Sequence, residues 1–124
     1  MSALTIVLPW PPSGLSPNTR QHWAQLAKAK RSYRSDCYLA AVAQNGRRIE
    51  ADRLHLRLEF VAPNRRKHDL DNLLGRMKSG LDGLADIFGV DDSRWELAVR
   101  RADQPKAPGC VIVTVTIVKQ ETNA

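Results

Sequence analysis

Between residues 53 and 88 the spacing of apolar side chains changes period, and that change limits the folds open to the chain. Residues 53–62, RLHLRLEFVA, alternate strictly. Leu54, Leu56, Leu58 and Phe60 fall on one side, and His55, Arg57 and Glu59 on the other. A period of two belongs to a strand with one buried face. From Leu70 onward the apolar residues Leu70, Leu73, Leu74, Met77, Leu81, Leu84 and Phe88 recur at three and four. That spacing predicts a helix from about Leu70 to Phe88. A fold built from one kind of element cannot satisfy both patterns, so strand and helix must share a core.

The flanking segments extend the pattern. Residues 3–10, ALTIVLPW, alternate as a strand, and PPSGLSPN after them is rich in turn formers. Ser16-Pro17 reads as a helix start, with a helix from about Pro17 to Asn45 stopped by Gly46. Its apolar stripe would be Trp23, Leu26, Ala27, Tyr33, Cys37, Ala40 and Ala41. GVDDS breaks the second helix, and RWELAVRRA and GCVIVTVTIVK read as two strands joined by DQPKAPG. The last strand is apolar on both faces and is expected at the centre of the sheet. The order is β-α-β-α-β-β, an α+β fold with a small mixed sheet packed against two helices. Residues 1–124 read as one domain without repeat or linker, and 119–124, KQETNA, as a frayed tail.

Composition narrows the function. Hydrophobic residues make up 43%, which excludes intrinsic disorder. Nineteen Lys and Arg against thirteen Asp and Glu leave a net charge of +6, which favours a polyanionic partner such as nucleic acid. The two cysteines, Cys37 and Cys110, lack zinc-ligand spacing and read as reduced core thiols of a cytoplasmic protein. No apolar run is long enough to span a membrane, and MSALTIVLPWPP lacks the basic segment and cleavage signal of a secretion peptide.

Against that background RRKHDLDNL, residues 65–73, stands out. Four potentially cationic side chains precede two aspartates and an asparagine. Six of the thirteen acidic residues, all aspartate, fall between 69 and 92, with Asp69-Leu70-Asp71-Asn72 and Asp91-Asp92 as two clusters. Either cluster alone could be a helix cap or a turn. Together, behind a basic run, they suit a site that grips phosphate and holds a hard divalent cation through carboxylate oxygens. If the following strand returns beside the earlier one, the two clusters can converge. No nucleophile-elbow serine, zinc spacing or phosphate-binding glycine loop is present.

LPWPPSGLSPN, RRKHDLDNLL and VDDS, in that order and spacing, resemble the RusA family of Holliday junction resolvases. The resemblance implies a homodimeric, Mg²⁺-dependent endonuclease that cuts branched DNA at four-way junctions by symmetric paired nicks, in recombination and repair. It matches the family's metal-binding, catalytic aspartates to Asp69, Asp71 and Asp92. The family's catalytic lysine would fall at Gly75, but KSGLDGL matches the stretch after that lysine and points to Lys78 instead, two residues later. Two residues turn a helix by about 200°, so the shift is expected to be absorbed near Gly75, with Arg76 as the substitute. Arg65, Arg66 and Lys67 are expected to hold the DNA backbone, with Asn72 contacting a phosphate or a ligand carboxylate. Two alternatives stay open: a catalytically silent DNA-binding protein on the same fold, and a small metal-dependent nuclease without junction preference.

Overall fold

The computed structural model describes residues 3–16 and 22–119. The elements are β1 (Leu4–Pro9), α1 (Trp23–Ala43), β2 (Leu54–Val61), α2 (Leu70–Phe88), β3 (Trp95–Arg101) and β4 (Cys110–Ile117). Short 3₁₀ turns cover Ser13–Leu15 and Asp92–Arg94. The element order and the α+β class are those the periodicities predict, and α2 has the predicted bounds. Lys119, the first residue of the expected tail, is exposed; the remainder of that tail lies outside the described residues.

The four strands form one mixed sheet in the order β1-β4-β2-β3. β4 runs antiparallel to both β1 and β2, which gives it the central place its apolar sequence predicts. β3 runs parallel to β2, with Leu54 opposite Trp95 and Phe60 opposite Arg101. The parallel pair requires a crossover, and α2 is that crossover. Leu54, Leu56, Leu58 and Phe60 are buried with Val111, Val113 and Val115. Tyr33, Cys37 and Ala41 of α1, and Leu73, Met77, Leu84 and Phe88 of α2, complete the core. The opposite side of β4, at Ile112, Thr114 and Thr116, is only half-buried.

The first helix departs from expectation. His22 is extended and caps the helix, its Nδ1 accepting from the Ala24 N–H at 3.2 Å, so α1 starts at Trp23 rather than Pro17. Residues 17–21 lie outside the described residues. At the other end Asn45 takes a left-handed φ of 69° and the Gly46 N–H bonds back to the Ala41 carbonyl at 2.7 Å. A side chain at 46 would stand 2.6 Å from that carbonyl oxygen, which is why glycine closes the helix. Trp23 is 76% exposed and not part of the core stripe. Burial on α1 depends on position along the axis as well as around it: Trp23 sits about 15 Å along the axis from Tyr33.

Two glycines bring the helices together. A Cβ at Gly80 would meet the Tyr33 ring at 2.7 Å and Cys37 Sγ at 2.8 Å, and one at Gly83 would meet the Arg34 carbonyl oxygen at 2.8 Å. KSGLDGL therefore has a packing role on α2, seating it against α1. The Tyr33 hydroxyl donates to the Pro9 carbonyl at 2.7 Å and ties α1 to the end of β1. No described helix is long and apolar enough to cross a membrane.

Candidate functional site

The basic run occupies the loop between β2 and α2. Asn64 Oδ1 accepts from the Arg66 N–H at 3.0 Å, a side-chain turn that bends the chain and leaves Arg65, Arg66 and Lys67 exposed. The loop is held from the far edge of the sheet. Arg101, at the end of β3, donates to the His68 carbonyl at 2.9 Å, and the Lys106 N–H donates to the Ala62 carbonyl at 2.8 Å. Between these segments lies a cavity of about 270 Å³, bounded by Arg65, Arg66, Lys67 and Arg101 on its polar side and by Trp10 and Phe60 on its apolar side. His68 also borders it, with its ring edge-to-face with Trp10 at 5.3 Å. Burial, and then the Arg76 and Arg66 cations, hold the His68 imidazole below the usual histidine range. Its Nε2 is buried without a hydrogen-bond partner.

Asp69 sits at the cap position of α2, yet its side chain makes no capping hydrogen bond. Asp69 and Asp71 are both exposed at the positive end of that helix, with carboxylates not committed to a cap. Asp91 behaves differently. It caps the 3₁₀ turn, accepting from the Ser93 N–H at 3.1 Å and from the Ser93 hydroxyl, and these bonds hold its carboxyl below the usual range. Asp92 pairs instead with Lys78, Nζ to Oδ2 at 3.5 Å.

The two clusters do not converge on one ion. The strand does return beside β2, but in parallel. Asp91 and Asp92 precede the start of β3, next to the start of β2, whereas Asp69 and Asp71 follow the end of β2. Parallel pairing sets the clusters apart along α2. Among the described residues no three His, Cys, Asp or Glu side chains form a group that could hold a metal. What the fold does bring together is Lys78 and Asp92.

Arg76 and Lys78 lie two residues apart on α2 and have different surroundings. Arg76 is 6% exposed; its Nε donates to the Pro12 carbonyl at 3.2 Å, another of its nitrogens to the Pro11 carbonyl, and its guanidinium lies over the Trp10 ring at 5.8 Å. It anchors the proline-rich loop to α2. Lys78 is exposed apart from its contact with Asp92. The helix is continuous through Gly75, so no irregularity there absorbs the two-residue shift; Lys78 reaches Asp92 from a regular helix. Asn72 Oδ1 accepts from the Ser16 hydroxyl at 2.7 Å, a second tie between the N-terminal loop and α2.

No family model matches the chain. Over 122 residues it is 34% identical to a protein of Xylella fastidiosa (strain Temecula1) described as an uncharacterized protein, a match covering 96% of this chain and 80% of that one. The two chains belong to one family. That relative's description names no activity. Arg101 and Trp10 join the site without having been singled out in the sequence. The adjacent Arg100 and Arg101 at the end of a strand were the available signal, but only the parallel β2–β3 pairing carries that end to the basic loop.

Proposed function

We propose that the chain is a Mg²⁺-dependent endonuclease of the RusA type, a cytoplasmic homodimer that resolves four-way DNA junctions by paired nicks. The observation that carries this reading is the join between β2 and α2, where exposed Arg65, Arg66 and Lys67 lead directly into the uncapped carboxylates of Asp69 and Asp71. Cations that can fork onto phosphate oxygens, next to carboxylates free to take a hard cation, are the two halves of a phosphodiester-cutting site. The unpaired thiols of Cys37 and Cys110 suit a reducing compartment.

Asp69, Asp71 and Asp92 have the right donor chemistry for magnesium. In arrangement the fit is partial: Asp69 and Asp71 belong to one helix end, while Asp92 is held by Lys78. When bound, the ion would supply positive charge to the phosphate and acidify the attacking water. The remaining work falls to the chain. Arg65, Arg66 and Lys67 hold the backbone on either side of the cut, and Asn72 stiffens the helix end through Ser16. Lys78 offers a cation to charge developing on the phosphate, with Asp92 positioning it. Two copies related by a two-fold axis would present two such sites to the two-fold substrate.

A second reading has its own support. Because Lys78 is paired with Asp92, a DNA-binding protein without cleavage activity fits the same surface. A synthetic four-way junction and a linear duplex of equal length, incubated with and without Mg²⁺, separate the readings. Paired nicks in the junction alone support the resolvase. Tight binding without nicks supports the silent binder, and nicking of both DNAs supports a nuclease without junction preference. Light scattering at micromolar concentration tests the dimer.

A further inference from the structure

The cavity behind the basic loop is built for more than a phosphate. Its volume of about 270 Å³ exceeds what one phosphate group fills, and its two sides differ in chemistry. Arg65, Arg66 and Arg101 border it as cations, and Trp10, Phe60 and His68 as rings. The rings brace one another: Trp10 meets Phe60 at 6.2 Å and His68 at 5.3 Å, and Arg76 covers a face of Trp10. The cationic side is also fixed, because Arg101 is bonded to the His68 carbonyl across the gap. A lone phosphate would use the arginines and leave the aromatic side idle. An apolar ligand would use the rings and bury guanidinium groups at a cost.

We infer that this cavity receives one unpaired nucleotide of the bound DNA, its base against the Trp10–His68 side and its 5′ or 3′ phosphate on Arg65, Arg66 and Arg101. Aromatic platforms beside a basic track are how proteins hold nucleotides outside a duplex. A paired base within a duplex has its faces stacked and cannot enter, so the cavity discriminates by strand pairing rather than by sequence. At a junction, the nucleotides flanking the branch point are those least constrained by stacking. The inference rests on the nucleic-acid reading above and makes it more specific.

The test first keeps the protein unaltered and changes the DNA, and then changes one residue of the cavity wall. Synthetic four-way junctions carry 2-aminopurine at each nucleotide flanking the branch point in turn, or an abasic residue at the same places. The expected result is a change in 2-aminopurine fluorescence at one position on saturation with the full chain, and about tenfold weaker binding when that base is removed. Ala102→Leu, which adds bulk to the cavity wall without removing a cation, should abolish the fluorescence change and leave the salt dependence of binding as it was. Tight junction binding with no fluorescence change at any position, and no loss on removing the base, overturns the nucleotide pocket while leaving the DNA-binding surface standing. Failure to bind any of these DNAs at physiological salt overturns both.

Discussion

Lys78 Nζ stands 3.5 Å from a carboxylate oxygen of Asp92, across fourteen residues of chain that include the last ten of α2. Both side chains are largely solvent-exposed, so the pair contributes little to stability. Lys78 lies on α2 between the two acidic clusters and contacts one of them, which makes the pair a functional contact under the proposed activity. Lys78→Ala should lower junction cleavage by about 10²-fold or more while shifting the urea midpoint hardly at all. Cleavage within a few-fold of the unaltered protein would remove Lys78 from the chemistry.

Arg76→Ala should have the opposite signature. The guanidinium is buried and donates to the Pro11 and Pro12 carbonyls, the second of which also accepts from the Leu15 N–H. Its loss should cost about 1.5–3 kcal/mol in denaturant unfolding, the range for hydrogen bonds to a charged group. Any fall in activity should be recovered in part by lower temperature. An unchanged midpoint with lost cleavage would assign Arg76 to catalysis instead.

Gly80→Ala tests the helix–helix seat. The new methyl group would overlap the Tyr33 ring and Cys37 Sγ, so a net loss of about 1–3 kcal/mol is expected despite the better helix propensity of alanine. Gly75→Ala, at an exposed position of the same helix, should instead stabilise by about 0.5–1 kcal/mol. Equal effects of the two substitutions in urea titrations would show that α1 and α2 do not approach as closely as described.

The thiols should separate by pH. Burial pushes the Cys37 thiol up to about 12, and it raises Cys110, which is only half-buried, as well. Since the thiolate is the reactive form, a raised pKa leaves the group protonated at pH 8, and reactivity rises only as pH approaches the raised value. A disulfide reagent at pH 8 should label Cys110 slowly and Cys37 only after unfolding. Rapid labelling of two thiols in the native protein would contradict the buried position of Cys37.

Much of this architecture is written locally in the chain. The bounds of α2, the alternation of β2 and the central place of β4 follow from apolar spacing, because spacing decides which side chains can share one face. The basic run and the aspartates that mark the candidate site were equally legible, as residue types in sequence. Their arrangement was not. Whether Asp92 meets Asp69 or Lys78 depends on the direction in which β3 pairs with β2, a choice between distant segments that no local period encodes. The same holds for Arg76, which reads as a surface cation beside Lys78 until the proline loop folds over it, and for Gly80, whose missing side chain matters only once α1 lies against it. Trp23 looked like core because its helical angle was right, yet only tertiary packing determines how far along a helix the core extends. Sequence by itself determined the elements and their chemical inventory; tertiary structure decided which charges face one another, because those contacts are set by strand pairing and helix docking over long separations.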